Sequence, residues 1–194
     1  TINTFIEKQT YGKIRDLIPS GFLDGTTRLV LTNAIYFKGT WEWQFDKGKT
    51  REMDFRITPD KVVKTSTMFM DNDKARFNYT DLGDLQILEL PYKGGDVSML
   101  IILPTDNIDS ISITAEKLGE WKNQMKEDKL TAIYLPRFEF DTKYYMNEAL
   151  AALGMPTAFL ANADFSGMTG VKNLMIGFVI HQAYVKVDEK GTEA

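Results

Sequence analysis

Alternation of apolar and polar positions is clearest near the C-terminal end of the 194-residue chain, over residues 178–188. A period of two places alternate residues on opposite faces of a strand. One face is apolar except for a single histidine, and it carries Val179, His181, Ala183, Val185 and Val187. The pattern predicts a strand with this face against a core, followed by a polar segment with one glycine, residues 189–194.

Other stretches predict further strands. Residues 28–37 are apolar on both faces, which is typical of a strand in the middle of a covered sheet. Shorter segments of β character follow at 53–57, 62–70, 75–79, 85–90 and 97–103. The last two are joined by a Gly-Gly turn at 92–96, which indicates an antiparallel hairpin.

Helical spacing of apolar residues predicts helices at 118–125 and 146–153, the second ending at Gly154 and Pro156. A looser helical pattern covers 2–18 and is broken at Gly12. No linker, repeat or low-complexity segment divides the sequence. The sequence therefore predicts a single α+β domain over residues 1–194, dominated by strands.

Composition narrows the function classes. The chain is 43% hydrophobic and 12% aromatic, which excludes global disorder. Its net charge of −4 is spread along the sequence and indicates no nucleic-acid partner. No apolar run approaches the length of a membrane span, and no signal peptide is visible. The absence of cysteine excludes disulfides and thiol catalysis.

Candidate catalytic chemistry is sparse. His181 is the only histidine, no Gly-x-Ser-x-Gly elbow is present, and its neighbours predict a neutral, hydrogen-bonded core histidine. Asn33 is the matching polar residue on the strand 28–37, and each of the two needs a partner if buried. Residues 71–73 begin like a calcium loop but lack its glycine and glutamate. We therefore expect neither enzyme activity, nor a metal site, nor a cofactor.

Seven stretches, in order along the whole chain, resemble the serpins, the serine protease inhibitor superfamily. They are INTFIEKQTYGKI (2–14), LVLTNAIYFKGTW (29–41), LQILELPYKGG (85–95), SMLIILP (98–104), YLPRFEF (134–140), ADFSGMTG (163–170) and HQAYVKVDEKGTEA (181–194). The resemblance implies mainly antiparallel, multi-stranded sheets with a few packed helices. It also implies that this is a middle-to-late portion of the fold, without the N-terminal helices, the reactive loop and the C-terminal strands.

The resemblance further implies a function. Serpins inhibit a serine or cysteine protease as suicide substrates, by inserting the reactive loop into the central sheet. The expected partner is that protease, and a monomer is expected in the native state, with no membrane or nucleic-acid partner. The scissile bond is expected outside this chain. Secretion is somewhat favoured over a cytoplasmic location, and both stay open.

Site residues carry over from the family's pattern. The segment 189–194 resembles the proximal hinge of the reactive loop, and Asn33 and His181 resemble the "shutter" where the sheet opens. Trp41 resembles the "breach", where the loop first enters. The hinge comprises Glu189, Lys190, Gly191, Thr192, Glu193 and Ala194.

An inserted strand would lie between 29–41 and 178–188 and begin with 191–194. The period of two then predicts that the small residues Thr192 and Ala194 face the core while Glu193 stays in water.

Two alternatives remain open at this point. A non-inhibitory serpin with a chaperone, carrier or storage role would share every one of these motifs. A self-contained enzyme would require an exposed His181 beside a serine.

Overall fold

The computed structural model describes residues 1–25, 27, 30, 35–58 and 60–194. Within them the chain forms four α-helices, which are α1 (Ile2–Gln9), α2 (Ala115–Gln124), α3 (Asn147–Ala152) and α4 (Ser166–Thr169). It forms eleven strands, which are β1 (Lys38–Thr40), β2 (Arg51–Thr58), β3 (Lys61–Met70), β4 (Phe77–Asp81), β5 (Leu85–Pro91), β6 (Ser98–Pro104), β7 (Lys126–Asp128), β8 (Ile133–Pro136), β9 (Phe138–Tyr145), β10 (Ile180–Asp188) and β11 (Gly191–Glu193). Short 3₁₀ helices lie at Lys47–Lys49, Ile108–Ser110 and Pro156–Phe159. No described helix is long and apolar enough to cross a membrane.

Helix α1 is shorter than the helical pattern over 2–18 predicts. The Thr1 hydroxyl caps its start by accepting a hydrogen bond from the Thr4 N–H at 3.2 Å. Its end is set by Thr10, a buried residue whose hydroxyl donates to the Ile6 carbonyl and accepts from the Ile14 N–H. Tyr11 and Gly12 then have positive φ angles, so the helix cannot continue past Gln9.

The helix predicted at 118–125 is confirmed as α2. Thr114 caps it by accepting a hydrogen bond from the Lys117 N–H, and Glu116 lies favourably in its first turn. Its apolar face buries Trp121 against Leu85 and Ile87 of β5.

The strands form three sheets. One has the order β2-β3-β8, a second β6-β5-β4-β7, and the third β1-β11-β10-β9. The pairings of β11 with β1 and β10, and those within the other two sheets, are antiparallel. The predicted hairpin is confirmed, since Leu85 of β5 lies opposite Pro104 of β6 and Pro91 opposite Ser98. These sheets and helices confirm the α+β class.

The predicted central strand 28–37 falls mostly on residues outside the described ranges. Of its positions, only 30 and 35–37 are described, and they are not in a strand. The strand β1 begins directly after them, at Lys38, and is three residues long.

Two compact units make up the described chain. The first comprises Thr1–Tyr36, Glu139–Val185 and Ala194, and its core is built from Ile6, Ile14 and Leu17, with Ile2 and Ile180 packed against them. The second comprises Phe37–Phe138 and Lys186–Glu193. Its core includes Trp41, Met68, Ile87, Trp121 and Val187, all of them buried.

Candidate functional site

The short strand β11 lies between the strands β1 and β10 and is paired with both. Thr192 is opposite Gly39 on one side and Val187 on the other, and both pairings are antiparallel. The chain reaches β11 from β10 through a turn of only two residues, Glu189 and Lys190. Residues 191–193 of the segment predicted to be the hinge therefore form a strand of the β1-β11-β10-β9 sheet.

Backbone groups of the segment after β1 hold this turn in place. The Trp41 N–H donates to the Lys190 carbonyl at 2.9 Å, and the Phe45 N–H donates to the Glu189 carbonyl at 3.0 Å. Within the turn, the Asp188 carboxylate accepts from the Lys190 N–H at 2.9 Å. The turn is thus satisfied by the chain that leads away from β1, and its position is fixed relative to that strand.

Glycine is required where β11 meets β1. A Cβ on Gly191 would overlap with the carbonyl oxygen of Gly39, and a backbone atom cannot move aside as a flexible side chain can. Gly39 itself is covered by Tyr92, because a Cβ there would lie 2.5 Å from that ring. The two glycines let two backbones and an aromatic ring come together in one layer.

Among the described residues, Trp41 is the largest fully buried side chain, at 1% exposure. Its indole Nε1 donates to the Asp188 carbonyl at 2.9 Å, which joins it to the end of β10. Its ring stacks on Tyr92 with centroids 4.6 Å apart and planes 10° from parallel. Trp41 is therefore both a core aromatic and a direct partner of the turn that begins the hinge.

Tyr92 reaches the hinge from the turn after β5. Its hydroxyl donates to the Thr192 hydroxyl at 2.8 Å, and both side chains are only 6% exposed. Burial raises the pKa of Tyr92, and the hydrogen bond to Thr192 offsets this in part. The hydroxyl therefore stays protonated and remains a donor.

Glu189 is a buried carboxylate with two partners. The Thr50 hydroxyl donates to it at 2.7 Å, and Arg137 forms an ion pair with it at 3.5 Å. Thr50 is positioned by the 3₁₀ helix before it, and Arg137 by its N–H, which donates to the Ser66 carbonyl of β3 at 2.8 Å. An unpaired buried charge would cost several kcal/mol, so these partners make the turn possible.

The remaining hinge residues follow the predicted alternation only in part. Thr192 is buried, as expected for a small residue facing the core. Glu193 and Ala194 are both half-buried, so the predicted difference between them is not seen. Lys190, at the tip of the turn, is exposed.

The prediction of a buried His181 is wrong for this structure, in which His181 is exposed, as is Ala183. Ile180 packs against the Ile6 cluster, and the alternation along the strand places the adjacent His181 on the other face. Val187 is buried within the second unit. Asn33, the other predicted shutter residue, lies outside the described residues.

Four residues of this site were not singled out as site residues by the sequence: Gly39, Thr50, Tyr92 and Arg137. Tyr92 begins the segment predicted as a hairpin turn, and Thr50 lies in a basic stretch that contains Lys47, Lys49 and Arg51. Lys49 of that stretch does form a half-exposed ion pair, with Asp71. Only the resemblance of the stretches around Gly39, Tyr92 and Arg137 could have drawn attention to them.

The arrangement is suited to receiving a strand. The backbones of β1 and β10 pair with β11 on its two sides. The stacked rings of Trp41 and Tyr92 contact this region, and the ion pair between Arg137 and Glu189 holds the turn. Among the described residues, no group of three His, Cys, Asp or Glu side chains could hold a metal ion.

Comparisons with known proteins agree with one another. The family model described as "Serpin (serine protease inhibitor)" matches residues 1–194. The leukocyte elastase inhibitor of Bos taurus is 42% identical over all of this chain and 54% of that protein. The structure of ovalbumin from emu, Dromaius novaehollandiae, has a TM-score of 0.91 at 37% identity, covering 99% of this chain and 51% of that one. A loop-inserted structure of a cleaved ovalbumin mutant has a TM-score of 0.87 at 33% identity, covering 99% and 51%. The chain spans about half the length of the curated relatives it matches.

Proposed function

The chain belongs to the serpin family, and we propose that the complete gene product inhibits a serine or cysteine protease once, as a suicide substrate. One observation carries the proposal. The hinge is already a strand, β11, between β1 and β10, and it is paired with both. It thereby supplies the first residues of the strand that an inserted reactive loop would form.

The mechanism begins as ordinary proteolysis. The nucleophile of the protease attacks the scissile carbonyl of the reactive loop, the peptide C–N bond breaks, and the new amine leaves with a proton. The other half of the loop stays on the protease as an acyl-enzyme. It then enters the sheet behind Gly191 before water can hydrolyse the acyl bond, and it draws the protease with it.

Strand addition supplies the driving force. About ten new ladder hydrogen bonds, each worth about 1 kcal/mol net, approach the stability of an ordinary domain. The form with the loop outside the sheet must then be kinetically trapped. Insertion of the reactive loop into a serpin sheet is an example of strand addition. In this chain, residues 191–193 would begin the added strand.

We also propose roles for the site residues, with 189–194 as the hinge and Trp41 as the breach, where the strand first enters. The contacts of Trp41 with Asp188 and Lys190 support this assignment. The shutter role of Asn33 and His181 rests on the resemblance alone. Residues 1–194 are proposed to be the middle-to-late portion of a single domain, and the whole protein to be a monomer in its native form.

One relative is named leukocyte elastase inhibitor, and its name identifies an elastase as the target of that protein. For the present chain the same name supports a protease as the partner, and a serine protease first among the classes to be tested. No membrane, nucleic acid or cofactor takes part in the proposed mechanism.

The direct test is to incubate the complete gene product with a panel of serine and cysteine proteases and separate the products on denaturing gels. We expect a band at the summed mass of inhibitor and protease that survives SDS. A protease whose nucleophile has been replaced should give no such band, which controls for noncovalent association. Clean cleavage without the band across the panel would overturn inhibition and leave a non-inhibitory serpin.

A further inference from the structure

The Tyr92 hydroxyl meets the hinge at a position fixed by groups outside β11. The Tyr92 ring is stacked on Trp41, and Phe37 meets it edge-on with ring centroids 5.2 Å apart. The ring also lies directly against Gly39, since a Cβ on that residue would be 2.5 Å from the ring. The backbone N–H of Tyr92 donates to the Val97 carbonyl at 3.1 Å, so the turn after β5 holds the residue as well.

The hydrogen bond that Tyr92 makes is unusual within the site because both of its members are side-chain hydroxyls in a buried place. The Oη–Oγ distance to Thr192 is 2.8 Å. A buried hydroxyl without a partner is destabilising, whereas a satisfied one is neutral or favourable. The identity of residue 192 therefore decides whether Tyr92 is satisfied once β11 is in the sheet.

We propose that Tyr92 is a positioning residue that selects a hydroxyl-bearing side chain at position 192 when the hinge joins the sheet. This inference rests on the proposed function. The fixed ring presents a donor, and Thr192 brings the acceptor to it. A residue of the same shape without the hydroxyl enters the same space but leaves the Tyr92 donor unpaired.

Four variants of the complete gene product test the pair. Tyr92→Phe keeps the ring and its stacking on Trp41 but removes the donor. Thr192→Val keeps the shape and removes the acceptor, and Thr192→Ser keeps the acceptor. The double variant Tyr92→Phe/Thr192→Val removes both groups. Tyr134→Phe, on a half-exposed tyrosine of β8, is the matched control.

The first readout is the stoichiometry of inhibition, which reports how often insertion wins over hydrolysis of the acyl bond. Loss of one neutral hydrogen bond corresponds to about a five-fold slower insertion. We expect Tyr92→Phe and Thr192→Val each to raise the stoichiometry. The double variant should be no worse than either single one, since no orphaned hydroxyl is left. Thr192→Ser should restore most of the inhibition that is lost in Thr192→Val, and Tyr134→Phe should behave like the unmodified protein.

The second readout does not require inhibition. The intact protein and the protein cut in its reactive loop are melted separately. We expect Tyr92→Phe to lower the melting temperature of the cut form and to leave that of the intact form unchanged. Equal lowering of both would mean a packing role only and would overturn the inference.

Unchanged values for the cut form of Tyr92→Phe, or strictly additive effects in the double variant, would also overturn it. If the unmodified protein forms no covalent complex with any protease, the proposed function fails. The melting comparison then still decides the role of Tyr92 by itself.

Discussion

The two ends of β10 are built in different ways. At its beginning, the Ile180 side chain packs against the apolar Ile6 cluster, and the neighbouring His181 is exposed. At its end, Val187 is buried and the next residues are fixed by an indole, two backbone donors, an ion pair and two hydroxyls. Apolar side chains are packed at both ends of the strand, whereas the polar contacts named above lie only at its C-terminal end. Polar groups and a glycine determine where the chain goes after it.

The largest effect is expected from a substitution near the C-terminal end of β10, in the strand β11 that follows it. Thr192→Arg would require a guanidinium in a place where the threonine is 6% exposed, at a cost of several kcal/mol. The reactive loop should then be cut without insertion, and the inhibitor should become a plain substrate. The stoichiometry of inhibition measures this, with Lys190→Arg at the exposed tip of the turn as control. An unchanged stoichiometry would contradict the buried position of residue 192.

The next effect comes from Gly191→Ala. Its Cβ would collide with the Gly39 carbonyl, and overpacking of this kind costs about 1–3 kcal/mol. We expect the loop-cleaved form to lose thermal stability while the uncut form changes little. Gly119→Ala in α2, where a Cβ meets no atom within 4 Å, is the control. A cut form that melts at the original temperature would show that β11 does not approach β1 so closely.

A smaller effect is expected from Glu189→Gln. The amide can still accept from Thr50, but the ion pair with the partly exposed Arg137 is lost, for about 1–2 kcal/mol. Denaturant unfolding of the complete gene product should report it. Arg137→Gln should be equally destabilising or more so, because it leaves a buried carboxylate without its cation. A stabilised Arg137→Gln would contradict the role given to this pair.

The smallest effect is expected at the other end of the strand. Because His181 is exposed, His181→Ala should change the free energy of unfolding by no more than about 0.5 kcal/mol. Any shutter role of His181 would be seen instead as polymer formation on mild heating. A loss of stability comparable to that of Glu189→Gln would mean that His181 is covered and hydrogen-bonded in the complete protein.

Local elements could be predicted from the sequence because their signals are local. The hairpin β5–β6 has two largely apolar strands joined by a glycine turn, and α2 has a cap and an apolar face. The face of β10 could not be predicted, since a period of two says that two faces exist but not what covers each. The exposed His181 is the result.

The site was predictable only through the family. Nothing in residues 189–194 by themselves predicts a strand between β1 and β10. The partner β1, unlike the adjoining β10, is distant in the sequence and is brought beside the segment only by the tertiary structure. Tyr92 is separated from Thr192 by 100 positions, and Arg137, which pairs with Glu189, lies in the connection between β8 and β9. Such contacts depend on the completed fold, so no local pattern marks them.

The two-residue turn between β10 and β11 also has a kinetic meaning. Closing a connection this short costs little chain entropy compared with pairing a distant segment. The first backbone pair of the added strand is therefore the easiest one to form. Each later pair then extends from the one before it. Strand growth would start at Gly191 and run in a single direction away from the turn, as a zipper closes from its fixed end.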